Sequence, residues 1–138
     1  MKTTIRDLMT SAVTTLAPED DLMKADAIMQ RGRFRHLPVV RGGELVGLIT
    51  HRDLLRAQIE ALGNDTSEAC TTLVALPAGE RMRTNVLTTT PDASPAVAAR
   101  QMLQNRVGCL PVVENGKLVG IVSEADFVKW ALDAMAEA

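Results

Sequence analysis

Aromatic residues are almost missing. Phe34, Phe127 and Trp130 are the only ones among 138 residues, and tyrosine is absent. With hydrophobic residues at 46%, a core must be filled by Leu, Val, Ile, Ala and Met. The seven methionines are most simply packing. Long apolar runs are missing too: none approaches the ~18 residues that suggest a membrane span, and no signal-peptide pattern opens the chain. The expectation is a cytoplasmic protein with no membrane insertion. The formal charge is only −2, without a basic stripe, which argues against a dedicated nucleic-acid binder. The two cysteines, Cys70 and Cys109, lie in no CxxC or His/Cys cluster with zinc-like spacing, so both read as reduced and no metal site is expected. There is no GxSxG elbow, no P-loop and no nucleophile–base–orienter set. These absences exclude the familiar routes to catalysis, and the chain does not read as an enzyme.

What is present is a duplication. His36-Leu37-Pro38-Val39-Val40-Arg41-Gly42-Gly43-Glu44-Leu45-Val46-Gly47 returns as Cys109-Leu110-Pro111-Val112-Val113-Glu114-Asn115-Gly116-Lys117-Leu118-Val119-Gly120. The same offset extends back without a gap to Met9/Met82, Val13/Val86, Thr15/Thr88 and Pro18/Pro91. Two copies point to a pseudo-symmetric pair rather than a solenoid, which stacks many units. A repeat of roughly 50 residues would be marginal alone, so the halves are expected to share one module.

Each copy reads as β-α-β-β-α, an α+β class. Val13-Thr14-Thr15-Leu16 is a short β run closed by Pro18. Asp20 or Asp21 then caps a helix with Leu22, Ala25, Ile28 and Met29 on one face, ending near Gly32. In the second copy Ser94 is the cap, Pro95 a first-turn residue, and Val97, Ala98 and Met102 the apolar face. Two strands follow at 36–40 and 45–50, turning through Gly42-Gly43, and their copies at 109–113 and 118–122 turn through Asn115-Gly116. Helices over about 51–62 and 124–136 complete the units. The expected boundaries are 5–62 for the first unit, 63–77 for a connector and 78–136 for the second. Within the connector, Leu73-Val74-Ala75-Leu76 is too apolar for a free linker and is expected to pack on the domain.

Both copies carry glycine, then a hydroxyl residue, then aspartate at fixed spacing: Gly47-x-x-Thr50-x-x-Asp53 and Gly120-x-x-Ser123-x-x-Asp126. With helices starting at Thr50 and Ser123, free backbone amides, a hydroxyl and a carboxylate meet at one strand-to-helix junction. Amides suit a phosphate, and a carboxylate suits the paired hydroxyls of a ribose. The same spacing also describes a plain helix-capping arrangement.

Leu-Pro-Val-Val, a glycine turn, and Leu-Val-Gly-hydrophobic-hydrophobic-Thr/Ser-x-x-Asp together resemble the cystathionine-β-synthase (CBS) domain. Ile5-x-Asp7-x-Met9-Thr10 is similar to that family's opening segment. The resemblance covers about 5–55 and 78–130. It implies a Bateman-type module in which two β-α-β-β-α units, related by a pseudo-two-fold axis, leave two clefts. Such modules bind adenosyl ligands such as AMP, ADP, ATP or S-adenosylmethionine, and regulate a fused or partner protein. By position, Asp53 and Asp126 would hold ribose hydroxyls, and Thr50 and Ser123 would lie near phosphate. Val13, Val86, Leu37, Pro38, Leu110 and Pro111 would border the adenine. No cofactor is required by this reading, an adenine nucleotide being the regulatory ligand. NAD remains another candidate, and so does a constitutive dimerisation or scaffold role with vestigial clefts.

The copies diverge near the expected phosphate. Arg33, Arg35, His36, His51 and Arg52 in the first correspond to Arg106, Gly108, Cys109, Glu124 and Ala125 in the second. The cations are either phosphate partners or solvated charges, and Cys109 is either a lining or a structural residue. Finally, Phe127, Trp130, Ala131, Ala134 and Met135 make one apolar stripe on the last helix. The resemblance implies pairing through helices, so a homodimer is expected.

Overall fold

The computed structural model describes residues 2–62 and 76–136. The elements are α1 (Ile5–Leu8), α2 (Leu22–Gly32), β1 (His36–Arg41), β2 (Glu44–Thr50), α3 (His51–Leu62), α4 (Ala78–Arg81), α5 (Pro95–Asn105), β3 (Cys109–Glu114), β4 (Lys117–Ser123) and α6 (Glu124–Ala136). This is a mixed fold of helices and antiparallel hairpins, as the sequence leads one to expect. Cys70 and residues 73–75 of the connector lie outside the described residues. Leu76 is described, and it packs against apolar core side chains.

Each hairpin closes through two consecutive residues with positive φ, Gly42 (58°) and Gly43 (84°) in one, Asn115 (53°) and Gly116 (79°) in the other. Two-residue turns of this kind match the right-handed twist of the flanking strands, and Gly and Asn adopt them at least cost. A register shift follows at Val39/Val40 and again at Val112/Val113. There the extended run before each α2-type helix docks in parallel. Leu16 N–H donates to Pro38 O (2.9 Å) and Val40 N–H donates to Leu16 O (2.8 Å); Thr89 repeats both bonds with Pro111 and Val113. The prolines therefore sit on the edge that needs few ladder donors, where their missing N–H is tolerated.

The packing divides into two compact units, Thr14–Val86, and Met1–Val13 with Leu87–Ala138. Neither coincides with a sequence repeat. The opening segment of each copy packs on the hairpin of the other. Arg83 pairs with Leu48 of β2, and Thr10 pairs with Ile121 of β4, each through two backbone hydrogen bonds of 2.9–3.0 Å. Met82 and Met9, one residue earlier, lie over Gly47 and Gly120. This explains the glycine in the repeated motif: a Cβ at either position would press on the methionine and on a backbone carbonyl.

The core of Thr14–Val86 joins Leu22, Ala25 and Met29 of α2 with Leu37, Val39, Ile49, Leu54 and Ala57. The other unit buries Ile5, Leu8, Ala98, Met102, Leu110, Val112 and Val122. Truncating such a leucine to alanine costs about 2–5 kcal/mol. Two expectations need correction. Val97 is exposed, and α5 turns Pro95, Ala98 and Met102 inward, the same helical phase as Leu22, Ala25 and Met29. Ser94 occupies the N-cap of α5 but its side chain makes no capping bond, whereas Asp21 accepts from Lys24 N–H at 2.8 Å.

Candidate functional site

At the two motif junctions α3 starts at His51 and α6 at Glu124. Asp53 Oδ2 accepts from Thr50 N–H (3.0 Å) and from Thr50 Oγ1 (2.8 Å), while Asp53 N–H donates to Thr50 Oγ1 (3.2 Å). Asp126 Oδ2 accepts from Ser123 N–H (2.8 Å) and Ser123 Oγ (3.2 Å). The hydroxyl–carboxylate pairs are thus real capping arrangements. They also hold each carboxylate in one orientation at the mouth of a strand-to-helix turn.

The helix amides are less available than the motif alone suggests. His51 N–H donates to Arg35 O at 2.8 Å, Glu124 N–H donates to Gly108 O at 3.1 Å, and Asp53 N–H is taken by Thr50. This corrects the expectation of a free amide cluster. Phosphate recognition at these junctions would fall more heavily on side chains.

The two carboxylates are not equivalent. Arg83 grips Asp53 with two nitrogens, Nε to Oδ2 at 3.3 Å and Nη2 to Oδ1 at 3.2 Å. Asp126 takes hydrogen bonds from Ser123 only, among the described residues. The Asp53 side chain is 11% exposed and that of Arg83 54%. Burial acts to raise the Asp53 pKa, but hydrogen bonds from Arg83 and Thr50, with the Arg83 charge, outweigh it and hold the carboxyl below its ordinary value. Arg83 escaped the sequence reading. The signal was available, because Thr10 stands at the matching position of the first copy.

Thr14–Val86 gathers Arg35, His36, Leu37, Pro38, Thr50, Arg52, Asp53 and Val86. His36 lies directly opposite Thr50 in the hairpin register. Arg35 and Arg52 are exposed at the junction, and Leu37 and Pro38 are buried. The other unit gathers Val13, Cys109, Leu110, Pro111, Ser123 and Asp126, with Cys109 opposite Ser123. Val13 and Val86 are half-buried, each in the unit of the other copy's hairpin. Cys109 is a core side chain, and burial pushes its thiol up to about 12. Arg33 and Arg106 share one structural task, as left-handed residues (φ 58° and 53°) that end α2 and α5.

Each copy thus joins a β-hairpin to a helix through a hydroxyl–carboxylate cap at the strand-to-helix turn, a tandem of one α+β unit. Residues 5–60 and 78–133 both match the CBS domain, and the chain belongs to that family. It is 31% identical over 123 residues to the CBS domain-containing protein YhcV of Bacillus subtilis, covering 88% of this chain and 81% of YhcV. Of several further curated relatives it covers only 13–46% of the length. Among solved structures, CBSX2 in complex with AMP superposes with a TM-score of 0.81 at 26% identity, covering 96% of this chain and 98% of that one. The CBS pair of MJ0100, in complex with 5'-methylthioadenosine and S-adenosylmethionine, gives 0.79 at 26% identity, covering 94% and 99%. No helix among the described residues is long and apolar enough to cross a membrane.

Proposed function

We propose that this chain is a cytoplasmic regulatory sensor, not an enzyme, that binds an adenine nucleotide such as AMP, ADP or ATP and passes the bound state to a partner protein. The observation that carries this reading is the pair of oriented carboxylates. Asp126 keeps Oδ1 without a donor among the described residues, and Asp53, whose Oδ2 takes both Thr50 donors, offers Oδ1 to a half-exposed arginine. A carboxylate held this way suits the vicinal hydroxyls of a ribose. The AMP in CBSX2 and the adenosyl ligands in MJ0100 support the same ligand class here. Leu37, Pro38 and Val86, and in the second unit Leu110, Pro111 and Val13, would border the base.

The module would act as a homodimer. Val128, Trp130, Leu132 and Met135 of α6 are exposed, and α6 has no buried residue. In the first copy the matching helix turns Leu54, Ala57 and Ala61 into the core, whereas Trp130, at the position of Ala57, stays 42% exposed. A second copy of this face would cover it.

Calorimetric titration with AMP, ADP, ATP, NAD and S-adenosylmethionine tests the reading. Saturable binding of an adenine nucleotide is expected. Heats indistinguishable from dilution for the whole panel would instead favour a constitutive scaffold in which the carboxylates only cap helices.

A further inference from the structure

The Arg83–Asp53 pair has no counterpart in the second unit, although the backbone around it does. Leu48 and Arg83 exchange two backbone hydrogen bonds, and so do Ile121 and Thr10. Met82 over Gly47 and Met9 over Gly120 fix the two opening segments in the same way. Only the side chain differs: a cationic fork in one unit, a short neutral hydroxyl in the other.

The fork lies where ribose and phosphate would meet. Its Nε contacts the same Asp53 oxygen that accepts from the Thr50 hydroxyl. That oxygen already takes two donors from Thr50, so a vicinal diol seeking both carboxylate oxygens must displace or share with the guanidinium. Displacement is cheap. Arg83 is more than half exposed, so its guanidinium can swing into solvent, while Asp53, 11% exposed, keeps its two Thr50 donors. What the arginine gains afterwards depends on the ligand. A nucleoside offers it nothing, whereas a phosphate offers a charge-assisted, bidentate partner for the released donors.

We propose that Arg83 is a specificity residue that makes the Asp53 site select phosphorylated adenine nucleotides over neutral adenosine, while the Asp126 site, with Thr10 in its place, lacks that discrimination. This rests on the reading of the carboxylates as ribose acceptors, and it adds a residue from the other copy's opening segment to the determinants of the Asp53 site.

The test is calorimetric titration of adenosine and AMP in an Asp126→Ala background, with and without Arg83→Thr. The AMP-over-adenosine preference should fall by about tenfold on Arg83→Thr, the scale of a lost charge-assisted hydrogen bond, with adenosine binding slightly tighter. Arg83→Lys should keep part of the preference, since it retains charge without the fork. In an Asp53→Ala background, Thr10→Arg should raise the preference at the Asp126 site. A preference that stays within about threefold on Arg83→Thr, while AMP still binds, overturns the role of Arg83 and leaves the ribose reading intact. Absence of AMP and adenosine binding in the wild type as well overturns both.

Discussion

Met9 lies so close over Gly120 that a Cβ added there would stand 2.7 Å from its sulfur and 3.0 Å from the Thr10 carbonyl. Gly47 meets Met82 and the Arg83 carbonyl, the latter at 2.9 Å, in the same way. The missing side chain is what lets each opening segment reach the other copy's hairpin. Gly47→Ala and Gly120→Ala should each destabilise by about 1–3 kcal/mol, the usual cost of overpacking against backbone. Urea midpoints measure this, and wild-type midpoints for both variants would contradict the proposed contact.

Much of the fold was legible because it rests on local rules. Gly42-Gly43 and Asn115-Gly116 announce two-residue turns, and Thr50 and Ser123 announce helix starts at His51 and Glu124. The exchange of opening segments was not legible. Thr10 pairs with Ile121 and Arg83 with Leu48 through backbone atoms, and no side-chain pattern encodes a long-range backbone pairing. Val97 misled because a valine looks internal. Its partner in the first copy is the exposed Lys24, so reading helical phase from the aligned copy would have placed it outside. At the site the carboxylates and hydroxyls were legible; Arg83 showed in the sequence only as a cation where the first copy has Thr10, and its role depends on that exchange.

Asp53 gives the module an acid-sensitive contact. Its pKa is lower in the folded state, so its stabilising contribution is complete above the ordinary carboxylate value of about 4 and is lost as pH falls through the folded value. Wild type and Asp53→Asn should therefore differ most near neutral pH and converge below pH ~4 in urea denaturation. A stability gap that is constant down to strong acid would contradict the Arg83–Asp53 pair as described.

Cys109 should be silent as a thiol. With its pKa pushed up to about 12 by burial, the thiol stays protonated at pH 8 and the reactive thiolate is scarce. In a Cys70→Ser background, a disulfide reagent should label the folded protein slowly and the guanidinium-unfolded protein at once. Rapid labelling in the native state would place Cys109 at an accessible wall instead of the core.

Trp130 offers the dimer test. A half-exposed tryptophan on a helix with no fully buried residue would serve as an energetic anchor, worth about 2 kcal/mol or more at an interface centre. Sedimentation should show a dimer for wild type and a folded monomer for Trp130→Ala at tens of micromolar. A wild-type monomer at that concentration removes the proposal.

The central claim is that the two capping carboxylates are also ribose acceptors, and AMP titration of the Asp53→Ala/Asp126→Ala double variant against wild type tests it most directly. Each substitution should weaken its own site by about 1–3 kcal/mol, the scale of a lost hydrogen bond to a charged group. A wild type that saturates and a folded double variant whose affinity falls by at least about tenfold are expected. Undiminished AMP binding by the folded double variant would show that Asp53 and Asp126 cap their helices and do nothing more.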